Sequence, residues 1–253
     1  MEKNDALQQL VDMSCALGVP ERDYVILGEG NTSARADEKT YYIKASGFNL
    51  NGIGPSGFIE MSFEPVLALM DKTGLADTEI TRLLMAARVD PSGTLRPSVE
   101  STMHALIYAL TDANFIGHTH PTAVNSVLCS QDCEKVINGR LFPDHIVFCG
   151  VAPAYVPYTE FGLPLARAVR RSLEAYLDQY GIPPKSILMQ NHGLIAVGRT
   201  ASEVESITAM NVKSARVLLA TAAFGGPRFL TDEDVNRIYT HPGEAYRRKQ
   251  AGF

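Results

Sequence analysis

Phe115-Ile116-Gly117-His118-Thr119-His120-Pro121 is the stretch from which the rest of the chain can be read. Apolar and small residues run into a His-x-His pair and stop at a proline. In an extended strand alternate side chains share a face, so His118 and His120 point the same way. Their imidazoles can then converge on one ion, neutral histidine being a common ligand for zinc and similar metals. For an isolated pair the simpler reading is two polar residues on the wet face of a strand end. The outcome depends on whether the chain supplies a third ligand and a carboxylate.

The composition is that of an ordinary soluble protein. The 253 residues are 45% hydrophobic and 20% charged, enough apolar material for a substantial core. A net charge of −5 and a pI of about 5.7 point away from a nucleic-acid or anionic-membrane partner. Cys15, Cys129, Cys133 and Cys149 form no Cys-x-x-Cys motif and are expected to be buried or idle thiols. Residues 1–20 lack a signal-peptide pattern, and no apolar run approaches the ~20 residues that span a bilayer. A reduced, cytoplasmic protein is expected. No repeat or composition change marks a linker, so residues 1–253 read as one domain with a tail from about 225.

Upstream of the His-x-His stretch, residues 4–17 show helical spacing and end at Gly18 and Pro20. Tyr24–Leu27 reads as a short strand running into Gly28-Glu29-Gly30-Asn31-Thr32-Ser33. Such a loop either cradles an anion with its backbone N–H groups or is a plain hairpin turn. Tyr41–Lys44 is a second strand ending in Ala45-Ser46-Gly47, where Lys44 could reach a bound anion or lie solvated. Ser62 is a candidate helix cap. Ile80–Val89 reads as one or two strands. Arg96-Pro97-Ser98-Val99-Glu100 opens a helix whose apolar stripe is Val99, Met103, Leu106, Ile107 and Leu110. Glu100 sits where a carboxylate is favoured for stability alone. His104, four residues on, reads as a hydrogen-bonded structural histidine on the same side.

Downstream, Thr122–Leu128 is predicted helical, 131–145 a polar excursion, and Ile146–Phe148 a strand. A helix is predicted over Leu163–Leu177. Ser186–Gln190 and Leu194–Val197 pair as a hairpin with His192 at or near its tip. Thr200-Ala201-Ser202-Glu203 is a capping box for a helix to about Ala222, and a last short helix starts near Thr231. The end from Arg247 is basic and expected to be loose.

Six blocks occur in one order: Gly30-Asn31-Thr32-Ser33, Lys44-Ala45-Ser46-Gly47, Pro97-Ser98-Val99-Glu100, His118-Thr119-His120, Pro157-Tyr158-Thr159-Glu160-Phe161-Gly162 and Gln190-Asn191-His192-Gly193-Leu194-Ile195. The series resembles the class II aldolase/adducin family over residues 5–220. The resemblance implies a three-layer α/β/α fold with a largely antiparallel central sheet, in a homotetramer with sites between subunits. It implies one Zn2+ per subunit, or another divalent metal, on His118, His120 and His192 with Glu100 near or on it. Glu100 would move the proton and Tyr158 would serve the aldehyde oxygen. A phosphate pocket maps onto Gly30, Asn31, Lys44, Ser46, Gly47 and Ser98. Aldolases of this type usually carry a second serine where this chain has Val99, which removes one hydroxyl from that pocket.

The activity implied is retro-aldol cleavage of a small sugar phosphate through a metal-stabilised enediolate. Pentulose-phosphate 4-epimerisation, dehydration and decarboxylation are alternatives on the same scaffold. A non-catalytic, adducin-like interaction domain is the reading from a different class. Tyr239, His241 and Tyr246 are the candidates for closing the site from the tail.

Overall fold

The computed structural model describes residues 2–244 and 246. The predicted loose end from Arg247 lies outside them. Seven strands form one sheet in the order β3-β2-β1-β4-β7-β6-β5. These are β1 (Asn31–Arg35), β2 (Thr40–Lys44), β3 (Phe58–Ser62), β4 (Phe115–Thr119), β5 (Ala154–Val156), β6 (Ser186–Met189) and β7 (Gly193–Gly198). Every pairing is antiparallel except β5 with β6.

Period-2 alternation sends neighbouring side chains to opposite faces, and both faces are covered. Ile116, Ile187, Met189, Ile195 and Val197 join one core with Tyr41, Ile43 and Met61. That core is roofed by α2 (Phe63–Leu67), α4 (Ser101–Leu110) and α8 (Leu163–Tyr180). Phe115, Leu188, Leu194 and Ala196 face the other core. There α1 (Lys3–Leu17) and α9 (Ala201–Thr221) pack against β1, β4 and β7, with α5 (Thr122–Leu128) beside α9. The result is the three-layer α/β/α arrangement expected, with β4 in the middle of a largely antiparallel sheet.

Three predicted strands are not strands. Ile80–Val89 is mostly helix, α3 (Asp77–Ala86), because Ile80, Leu83, Leu84 and Ala87 recur at helical spacing and pack on the first core. Ile146–Phe148 lies inside α7 (Pro143–Cys149), with Pro143 at the first turn and Gly150 at φ +78° ending it. The polar excursion before it contains a further helix, α6 (Cys133–Ile137). Tyr24–Leu27 is a loop in which Ile26 and Leu27 are exposed, and its Tyr24 carbonyl accepts from the His120 N–H at 2.9 Å.

The expected caps divide. Thr200 accepts from the Glu203 N–H at 3.1 Å. The Glu203 carboxylate takes the Arg199 N–H at 2.6 Å and pairs with Lys185. Ser62 precedes α2 without a side-chain cap. The short helix expected from near Thr231 is α10 (Asp232–Thr240), capped by Thr231. All four cysteines are free thiols. No helix among the described residues is long and apolar enough to cross a membrane.

Candidate metal centre

The register of the sheet brings the site together. His118 lies opposite Asn31 of β1 on one side and Ile195 of β7 on the other. Gly30, at φ +68°, stands where a Cβ would meet the His118 carbonyl oxygen at 2.4 Å, so only glycine permits this strand approach. The β6–β7 turn carries Asn191 in the left-handed region at φ +53° and swings His192 over the end of β4. Gly193 completes the turn; a Cβ there would lie 2.6 Å from the Thr119 carbonyl and 2.7 Å from the His120 ring.

The ligand nitrogens of His118, His120 and His192 consequently lie within 4.8 Å of one another. Among the described residues this is the one group of three or more His, Cys, Asp or Glu side chains so placed. His118 Nδ1 faces the Leu194 carbonyl at 3.0 Å and must donate to it, which leaves a lone pair on Nε2. His120 Nε2 approaches that lone pair at 2.9 Å. Burial, partly opposed by Glu100, lowers His118 to about 4; burial and the two neighbouring histidines lower His120 to about 3. These are neutral imidazoles with lone pairs turned to a common point, the donor set that suits a divalent metal such as zinc. A backbone carbonyl fixing the second nitrogen is the usual support of such a ligand.

Glu100 closes the cluster from the start of α4. Its Oε2 is 3.5 Å from His118 Nε2 and its Oε1 is 3.3 Å from His192 Nε2. Burial works to raise its pKa, but the histidines and the Asn31 hydrogen bond outweigh it and hold the carboxyl below its ordinary range.

Behind Glu100 runs a chain of hydrogen bonds. Asn31 gives its amide N–H to Glu100 Oε2 at 2.6 Å, so its Oδ1 must accept from His104 Nε2 at 2.5 Å. His104 Nδ1 then accepts from Ser33 Oγ at 2.7 Å, and Ser33 accepts from Tyr108 Oη at 2.8 Å. His104 is fully buried and lowered by that burial to about 4. It is the hydrogen-bonded histidine expected from its spacing to Glu100, but its partner reaches the carboxylate. Tyr108 follows His104 by one helical turn, but nothing in the sequence brings Ser33 of β1 to that pair.

A family model described as Class II Aldolase and Adducin N-terminal domain matches residues 8–219. The chain belongs to this family. Proteins similar to it in sequence differ in name and length. Uncharacterized oxidoreductase YuxG of Bacillus subtilis (strain 168) is 25% identical over 236 residues, 88% of this chain but 32% of YuxG, so the chain spans about a third of that relative. Methylthioribulose-1-phosphate dehydratase of Geobacillus kaustophilus (strain HTA426) is 26% identical over 192 residues, 73% of this chain and 78% of the dehydratase. The solved structure of an L-fuculose 1-phosphate aldolase superposes with a TM-score of 0.71 at 21% identity, covering 96% of each chain, and shows the shared fold.

The remaining class II aldolase-type positions fall at different distances from the cluster. Ser98 Oγ accepts from the Glu100 N–H at 3.2 Å and lies 3.4 Å from Asn31 Nδ2, so both adjoin the carboxylate. The Asn31 amide is thereby committed to Glu100 and His104. Lys44 is buried, its pKa lowered by that burial against the pull of Glu100, and its Nζ donates to the Phe48 carbonyl at 2.5 Å. Ser46 and Gly47 are exposed beside it, Gly47 at φ +89°. Val99 is exposed. Tyr158 stands apart: it is 66% exposed, and its backbone N–H donates to Gln190 Oε1 at 3.1 Å, two residues before His192.

Proposed function

We propose that the chain is a divalent-metal-dependent carbon–carbon lyase, zinc being the first choice of metal, that cleaves a small ketose phosphate by a retro-aldol reaction. The convergence of Glu100 on the three-histidine cluster carries this reading. Held by His118, His120 and His192, the cation supplies Lewis-acid stabilisation of negative charge on the substrate oxygens. Three protein nitrogens leave room for a substrate, as catalytic sites require. Glu100 carries the proton to and from the reacting carbon, with Asn31 holding one carboxylate oxygen so that the other is aimed. Lys44, Ser46, Gly47, Ser98 and the Gly30 backbone hold the phosphate and so position the reacting carbons.

The assembly proposed is a cytoplasmic homotetramer. The exposure of Tyr158 and Phe161 supports a site completed at a subunit boundary, where Tyr158 would serve the aldehyde oxygen. Dehydration of a sugar phosphate is the second reading, favoured by the 26% identity to methylthioribulose-1-phosphate dehydratase across 73% of the chain.

The test is a panel of ketose phosphates and unphosphorylated acids given to the zinc-loaded protein. Release of an aldehyde fragment is expected; loss of water without a fragment would replace the lyase with the dehydratase reading. Glu100→Gln should keep stoichiometric metal while slowing exchange of the donor's α-proton by about 10²–10⁴-fold. Undiminished exchange would remove Glu100 from the reaction.

A further inference from the structure

A second polar cluster lies outside the histidine site, between α5, α6, α7 and α9. Its centre is Arg140, 2% exposed. The guanidinium Nε donates to the Gly150 carbonyl at 2.9 Å, and Nη1 to the Ile137 carbonyl at 3.3 Å. Nη2 has no partner. Nor does Arg140 form an ion pair among the described residues, although a buried cation ordinarily has one.

Two further groups nearby are equally unspent. His145 Nε2 is 3.5 Å from Arg140 Nη1 and can only accept from it, which puts the ring proton on Nδ1. That Nδ1 is buried without a partner, and so is the Ser214 hydroxyl. Arg140, His145 and Ser214 all line one cavity of about 40 Å³. A single water needs about 10–15 Å³, so a ligand of a few heavy atoms fits. Most of the rest of the wall is apolar, including Val124, Leu128 and Leu188, and no Asp or Glu contributes to it. Asn211, also in the wall, gives its N–H to the Ile207 carbonyl at 2.9 Å. Half-buried Val136, Leu141 and Leu218 stand in the same wall and offer a route in.

From this geometry we infer that the cavity is a binding site for a small monovalent anion of chloride or formate size, held by Arg140, His145 and Ser214. Water accepts two hydrogen bonds and brings two protons of its own. Three donors, one of them a full positive charge, need acceptors and a negative charge. A bound anion satisfies all three and neutralises the guanidinium. The site is separate from the metal cluster and does not depend on what the cluster catalyses.

Thermal melting of the full-length protein at constant ionic strength tests this, with sodium formate or chloride replacing sodium gluconate, which is too bulky to enter. The melting temperature should rise saturably by about 3–6 °C once the small anion reaches ten times its dissociation constant. Arg140→Met should abolish the rise. Ser214→Leu, which fills the cavity and keeps the Arg140 backbone bonds, should abolish it too and decides the matter if the first variant does not fold. In crystals grown with bromide, an anomalous peak beside Arg140 Nη2 is expected. Equal melting in formate, chloride and gluconate, or an ordered water alone at that position, would overturn the site.

Discussion

Two buried polar clusters in this molecule meet opposite fates. Around Glu100 each donor finds an acceptor: Tyr108 to Ser33, Ser33 to His104, His104 to Asn31, Asn31 to the carboxylate. Around Arg140 the donors of the guanidinium, His145 and Ser214 outnumber what the chain offers them. A matched chain fixes side chains in one arrangement and stabilises the fold. An unmatched set costs stability unless something from solution completes it. Polar burial alone therefore says little; the balance of donors and acceptors separates a self-sufficient scaffold from a binding site.

The comparison is most severely tested at the link nearest the metal cluster. Asn31→Leu removes the amide that holds Glu100 Oε2 and should lower turnover in the proposed lyase reaction by about 10–100-fold with added zinc still bound, read from steady-state kinetics and metal content. An unchanged rate would mean that Glu100 is held well enough by its other contacts.

His104→Phe strands the Ser33 hydroxyl and the Asn31 carbonyl in the core, a loss of about 1–3 kcal/mol for each, measurable by urea unfolding. The same residue gives the matched chain a pH dependence. Its folded pKa is lowered to about 4, while the unfolded chain titrates near 6.5. Between those values the unfolded state binds the extra proton, so stability falls as pH drops from about 6.5 towards 4, and His104→Phe should reduce that slope by about one proton. His118 and His120 contribute the same sign of change, so the share of His104 is read as the difference in slope between the variant and the unaltered protein.

The smallest effects form the sharpest pair. Tyr108→Phe deletes the end donor of the matched chain and should cost about 1 kcal/mol. Ser214→Ala deletes a hydroxyl with no partner and should cost nothing, or stabilise slightly, in gluconate. Equal costs for the two would erase the distinction between the clusters.

Much of this was legible in the chain itself. The His-x-His strand, the β6–β7 hairpin and the amphipathic helices follow from periodicity and turn chemistry, and the six ordered blocks pointed to the family. The failures share a cause. Ile80–Val89 and Ile146–Phe148 are short apolar runs whose β-branched residues read as strand, while their spacing to Ala87 and their caps at Pro143 and Gly150 favoured helix. Tyr24–Leu27 is apolar yet largely unpaired, because β1 begins only at Asn31, where the loop glycines end.

What residue order determined by itself was local: the two-residue period that puts His118 and His120 on one face, the four-residue step from Glu100 to His104, and the glycines that let a backbone turn or approach. Tertiary structure decided which distant groups meet. Positions 31, 100, 118, 120 and 192 share a site only because β1 and β7 flank β4 in register and a helix starts against them. The polar shortfall around Arg140 arises in the same way. A hydrogen bond depends on an angle and a few ångströms between partners that sequence separation does not encode, so its presence or absence is a property of the packed molecule.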